Sequence, residues 1–346
     1  MHTNYNINFT LDYEIHGNGD GNPVEPTYRL MDLLEEYSAK LTIFPDVAEI
    51  LCFKKYYEIY KEDKFHYLDI EKQLKNAIQR GHDVQLHIHS SYFKSNFYGM
   101  HWDQCIEEYS MASLAYERIE EMIKECLEFL HTILRTVKPS YTCLVFRAAN
   151  WSMMPTKNIY NALINNGIKI DTSVYKGGCE GGNVSYDYRC AHSNLFSYTA
   201  SEIDINIHDP QGIITEYPIY TEMRRFWSFI TPLRIFRMLR AKLHKHKKSG
   251  ITTEVSKVAN TYDNRNITIR SFFNKSPWKF DFNQASGTQM INALKRVMKT
   301  QTDRKIVDVI LIGHSKTFIQ YNHVTLNRFL KFASKQKNVT FGLFSR

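Results

Sequence analysis

The sequence predicts one α/β domain in which parallel strands alternate with helices and close, or nearly close, into a barrel. Three observations carry this. Strand-like and helix-like segments alternate along the chain, with no clear linker and no internal repeat. At 346 residues the chain can surround a sizeable core. Polar and titratable side chains collect where strands end, which is where parallel α/β folds keep their chemistry.

The first strand spans 6–16. Asn6, Asn8, Thr10, Asp12, Glu14 and His16 share one face, and Ile7, Phe9, Leu11, Tyr13 and Ile15 share the other. The apolar face calls for a helix layer. The polar face grows more acidic towards the turn His16-Gly17-Asn18-Gly19. Alone, the stretch reads equally well as an edge strand with one wet face.

Pro26-Thr27-Tyr28 opens a helix to about 37. A short strand over 40–45 follows, then a helix from Asp46, its N-cap. A helix over about 69–80 stops at Gly81, and a strand spans 83–89. After a polar-aromatic loop over 90–103 comes the longest helix, about 107–136. Its apolar stripe of Leu114, Ile119, Met122, Ile123, Cys126, Leu127, Leu130 and Leu134 is core. A strand over 141–146 runs into Arg147-Ala148-Ala149-Asn150-Trp151, Pro155 starts a helix to near Gly167, and a strand covers 168–171. The irregular stretch 176–199 is long for a loop, which marks a functional or mobile segment. Strands are expected over 202–207, 213–220, 266–272, 305–312 and 339–343, and helices over 288–299 and 324–336.

The formal net charge is +8, and much of the excess lies between Arg224 and Lys248, which argues for a local anionic partner. Aromatic residues make up 14% of the chain, enough for sugar handling but equally for a large core. The six cysteines include no CxxC pair, so neither a zinc finger nor a disulfide framework is expected. The first residues lack a basic n-region and an apolar h-region, and no apolar run approaches a membrane span. A reduced, cytoplasmic protein is therefore expected. Glycine patterns for nucleotide phosphates are absent, as is a Gly-x-Ser-x-Gly elbow.

Five strand ends carry candidate chemistry. In the 83–89 strand, Gln85, His87 and His89 share one face. With Asp12 or Glu14 the two histidines make a two-histidine, one-carboxylate set suited to Zn²⁺ or another first-row divalent ion. Arg147 can hold a carboxylate by a bidentate pair, and Trp151 can stack on a sugar face. Asp171, in Asp171-Thr172-Ser173, is a partner for Arg147 or simply a turn cap. His314 follows Gly313 at the end of an apolar strand, and imidazole suits acid–base work near neutrality.

In this order the set resembles the polysaccharide deacetylase (NodB-like) family. The motifs that carry the likeness are Thr10-Leu11-Asp12-Tyr13-Glu14, Gly81-His82-Asp83-Val84-Gln85-Leu86-His87, Phe146-Arg147-Ala148-Ala149-Asn150-Trp151, Asp171-Thr172-Ser173 and Leu311-Ile312-Gly313-His314. The resemblance implies a distorted (β/α) barrel, a divalent metal with Zn²⁺ the first choice, and hydrolysis of N- or O-acetyl groups on carbohydrate. The family pairs two adjacent aspartates in the first motif, whereas here Tyr13 follows Asp12. Glu14 returns to the correct face and takes the ligand role, although the roles of Asp12 and Glu14 stay interchangeable at this level. The family's second ligand histidine lies four residues after the first. That position is Ser91 here, and His89 is the nearest substitute.

The expected enzyme is thus a hydrolase of carbon–nitrogen, non-peptide bonds. Glu14, His87 and His89 hold the metal. Asp12 is the base, Arg147 its orienting partner and His314 the acid, and Asp171 is counted with them as catalytic. Asn150 and Trp151 contact substrate. A carbohydrate-binding or scaffolding protein with impaired catalysis is the rival, favoured by Tyr13 and Ser91. The basic stretch at about 223–249 is read as an amphipathic insertion, with Leu233, Phe236 and Leu239 interleaved with Arg234, Arg237 and Arg240. It suits the anionic inner face of a membrane as well as a solvated helix face. No nucleic-acid module is recognisable.

Overall fold

The structure, a computed structural model, describes residues 3–15, 22–99, 101–229 and 274–344. The elements run β1 (Asn4–Tyr13), α1 (Val24–Glu35), β2 (Leu41–Pro45), α2 (Val47–Tyr60), α3 (Tyr67–Gln79), β3 (Asp83–Val84) and β4 (Leu86–Ile88). A small hairpin, β5 (Asn96–Tyr98) and β6 (His101–Asp103), precedes α4 (Tyr116–Leu134), β7 (Val145–Ala148), α5 (Thr156–Asn165) and β8 (Ile170–Asp171). Short pieces follow: β9 (Cys179–Glu180), β10 (Tyr186–Asp187), β11 (Tyr198–Thr199) and β12 (Thr215–Glu216). The chain finishes with β13 (Thr221–Arg225), β14 (Lys275–Lys279), α6 (Gly287–Thr300), β15 (Ile306–His314), α7 (Gln320–Ala333) and β16 (Val339–Phe341).

Two parallel sheets make the barrel wall. One has the order β15-β1-β2-β3, with β16 pairing the start of β1 at Tyr5–Ile7. The other runs β12-β8-β7-β4, with β11 antiparallel at its edge. Single bridges join them. Asp46 meets His87 on one side, and Ile219, just past β12, meets Ile310 of β15 on the other. The strands therefore run around a ring, with regular ladders giving way to isolated bridges at both seams. This is the distorted (β/α) barrel. An edge position for β1 is excluded, because it is paired on both sides and both its faces are buried. Its apolar residues, Tyr13 among them, pack beneath the helices.

Several elements differ from sequence expectation for local reasons. The 83–89 strand is broken at Gln85, and its two halves belong to different sheets. The buried Gln85 amide replaces ladder bonds there. Its Oε1 accepts from Leu144 and Val145 N–H, and its Nε2 donates to Asp83. The long helix starts at Tyr116, nine residues later than expected. Glu108 is instead drawn down into ion pairs with Lys94 and Arg118, and single turns fill 106–113. The expected strand over 202–207 is a run of turns, in which Ser201 and Asp204 side chains accept backbone N–H groups two residues on. The 213–220 strand shrinks to β12, since Pro218 has no N–H for the ladder.

The expected turn at 16–19, the 266–272 strand and the amphipathic stretch from Pro232 lie outside the described residues. Of the basic segment, Arg224 and Arg225 lie in β13, antiparallel to β14. No helix among the described residues is long and apolar enough to cross a membrane.

Candidate active site

The C-terminal ends of β1, β4, β7 and β15 converge on one cavity of about 320 Å³. Asp12, Glu14, His87, His89, Asn150, Trp151 and His314, all singled out in the sequence, line it. Ala148, Gln284, Lys316 and Thr317 complete the wall.

Alternation along β1 sends Asp12 inward and Tyr13 into the core, and the next inward residue is Glu14. Register brings His314 directly beside Asp12, because β1 and β15 are parallel neighbours with those two residues paired. Their side chains stand 3.8 Å apart, Asp12 Oδ2 to His314 Nε2. Gly313 is required for this placement. A Cβ there would collide with the Phe282 ring and the Asn283 side chain, which pack against the end of β15. The Asn283 carboxamide in turn accepts from His314 N–H and donates to its carbonyl.

Glu14, His87 and His89 meet as a buried group whose potential ligand atoms all lie within 4.8 Å of one another. Glu14 Oε2 is 3.8 Å from His87 Nε2 and 3.5 Å from His89 Nε2. Each imidazole is held from behind. His87 Nδ1 lies 2.9 Å from the Arg147 carbonyl, which can only accept, so Nδ1–H donates and Nε2 is the ring nitrogen turned towards Glu14. That Nε2 is buried and makes no hydrogen bond. His89 Nδ1 lies 2.9 Å from Asp46 Oδ2, a carboxylate–histidine pair of the kind that orients metal ligands. Burial disfavours a charge on His89, but Asp46, Glu14 and Glu49 outweigh it and raise its pKa to about 9. An orphaned buried imidazole nitrogen, a second oriented imidazole and a carboxylate fit a divalent first-row ion.

Arg147 lies one layer below the cavity and is fully buried. It donates to Asp12 Oδ1 (2.8 Å), Thr10 Oγ1 (2.9 Å) and the Thr172 carbonyl (3.0 Å). Its guanidinium stacks over Phe44. The ion pair considered with Asp171 is not made. Asp171 instead accepts from Ser173, whose hydroxyl also receives the Ala148 N–H. Asp171 lies off the cavity wall, beside a second buried carboxyl, Glu216. Burial, then the neighbouring Asp171, hold Glu216 well above the usual carboxyl range, making it the protonated member. Ser91 bonds Gln104 and does not line the cavity.

Asn150 and Trp151 both adopt left-handed backbone, with φ of 52° and 65°. Two such residues in succession are strained and need support. Tyr188 provides it, donating to the Trp151 carbonyl (2.6 Å) and accepting from Met153 N–H (2.9 Å). Lys279 sits 4.4 Å from the ring centres of both Trp151 and Tyr175, and burial lowers its ammonium pKa.

Sequence reasoning missed Asp46, Glu216, Lys316 and Tyr188. Asp46 was visible as a helix cap and does cap α2, accepting from Glu49 N–H. Its position just after Pro45 at a strand end was the available signal for a second role. Lys316 sat in view two residues after His314. Nothing local marked Glu216 or Tyr188.

No family model matches the chain, and no curated protein sequence does. Solved structures do. The structures it resembles include polysaccharide deacetylases and family 4 carbohydrate esterases. One, from Mycobacterium smegmatis and provisionally described as a polysaccharide deacetylase, is 10% identical with a TM-score of 0.49, covering 98% of this chain and 87% of that one. The Puue allantoinase has the same identity, TM-score and coverage. A family 4 carbohydrate esterase from Streptomyces lividans, in complex with acetate, is 9% identical with a TM-score of 0.41, covering 98% and 93%. At these identities and TM-scores nothing about the chemistry of this site follows from them.

Proposed function

We propose that the protein hydrolyses N- or O-acetyl groups on a carbohydrate, with a divalent ion, Zn²⁺ first among candidates, held by Glu14, His87 and His89. One juxtaposition carries this reading. The buried Glu–His–His set shares a cavity with an Asp–His pair positioned for acid–base work.

A bound ion supplies Lewis acidity, which polarises an acyl oxygen and makes a water molecule acidic. Asp12 is the base. Arg147 pins its Oδ1, so Oδ2 is the oxygen turned towards His314. His314, about a quarter exposed at the cavity rim, gives a proton to the departing amine or hydroxyl. Backbone N–H groups of the left-handed Asn150–Trp151 turn assist the tetrahedral oxyanion. The indole lies at 82° to the His314 imidazole and meets substrate as part of the cavity wall. Asp171 acts at one remove, by fixing Ser173 beneath Ala148. In this reading the chain works as one cytoplasmic domain, and the basic stretch at 223–249 brings it to an anionic membrane surface. Liposome co-sedimentation indifferent to anionic lipid would remove the last point.

The rival is a carbohydrate-binding module without turnover. Lys316 favours it, because its ammonium already lies 2.8 Å from Glu14. Acetate release from acetylated amino-sugar oligomers separates the two. The metal-loaded wild-type protein is expected to release acetate, and His87→Ala is expected to lose both metal and activity. Undiminished turnover in His87→Ala would overturn the assignment, and sugar binding without acetate release would leave the rival.

A further inference from the structure

Glu14 is shared between two neighbours of opposite consequence. Its Oε2 faces the His87 and His89 Nε2 atoms. Its Oε1 accepts from Lys316 Nζ at 2.8 Å, with His314 Nε2 at 4.0 Å. Lys316 is no wandering surface lysine. It sits in the single turn Ser315–Thr317, anchored by buried Ser315 on one side and by Phe318, packed in the core, on the other. Its side chain is 26% exposed, and it forms part of the cavity wall.

We infer that Lys316 is a built-in competitor for the charge of Glu14 and sets the affinity of this site for divalent ions. The inference rests on the metal reading above. Glu14 is buried, and a buried carboxylate needs a cation close by. Lys316 already brings one. A divalent ion at Oε2 therefore gains less from Glu14 and enters against a positive charge on the same carboxylate, in surroundings that screen charge poorly. Replacing Lys316 by a neutral side chain removes that repulsion and releases Oε1 from its ion pair. An arginine keeps the charge and keeps the affinity low.

The test measures Zn²⁺ and Co²⁺ dissociation constants on the full chain, by competition with a chromophoric chelator, for wild type, Lys316→Met, Lys316→Gln and Lys316→Arg. The neutral variants are expected to bind about tenfold more tightly, a change of about 1.4 kcal/mol. Lys316→Arg is expected to bind like wild type. The metal-free neutral variants should melt lower than wild type and gain more on adding Zn²⁺. Equal or weaker binding in both neutral variants overturns the inference while the metal site stands. An absence of binding in all four proteins overturns the metal reading, and the inference with it.

Discussion

Removing Arg147 should expose how the cavity floor is held together. Arg147→Met deletes a fully buried cation and the donors to Asp12, Thr10 and Thr172. It leaves Asp12, only 3% exposed, as a buried carboxylate without its guanidinium. Breaking a buried pair from one side costs about 3–5 kcal/mol. Typical domains have about 5–15 kcal/mol to lose, so the variant should fold but denature early. Adding Asp12→Asn removes the stranded charge and should return part of the loss, giving a coupling of about 1.5–3 kcal/mol between the two positions. The same cycle with Asp171→Asn should show a coupling well below that, because Asp171 makes its hydrogen bonds with Ser173. Urea denaturation followed by circular dichroism measures all five variants. Stronger coupling of Arg147 to Asp171 than to Asp12 would refute the arrangement described.

Other perturbations have directions fixed by the structure. Asp46→Asn weakens the hold on His89 Nδ1 and should cut metal affinity by about 10–100-fold, read by chelator competition. Tyr188→Phe frees the Trp151 carbonyl and should cost about 1 kcal/mol of stability while raising KM more than it lowers kcat, since the indole wall loosens. His82 is held neutral by burial, then by the Lys40 and Arg80 charges, with its pKa lowered to about 4. A histidine with a lowered folded pKa stabilises the protein fully above its unfolded value near 6.5 and loses that contribution as pH falls towards 4. This amounts to about 3 kcal/mol, at 1.36 kcal/mol per pH unit. Acid titration of the unfolding free energy should show this slope, and His82→Gln should flatten it.

Period-two alternation made most of the wall legible. It placed Asp12 and Glu14 on one face, put Tyr13 in the core, and set His87 and His89 side by side, because a strand fixes direction residue by residue. What alternation does not carry is how strands end and who stands behind them. The break at Gln85 depends on a side chain capturing N–H groups sixty residues away. Glu108 looked helical and is claimed by Lys94 and Arg118. Asp46 does two jobs, capping α2 and holding His89, and its partner in the second is fixed by the bridge between Asp46 and His87. Arg147 had two candidate carboxylates at strand ends, and the curvature of the wall, which no local pattern encodes, selected Asp12.

Anomalous diffraction from crystals grown with Zn²⁺ addresses the proposed centre most directly. A peak is predicted within about 2.0–2.2 Å of Glu14 Oε2, His87 Nε2 and His89 Nε2, with an open position facing Asp12 and His314. No anomalous density in this cavity, or a peak bound elsewhere while Lys316 still holds Glu14, would contradict it.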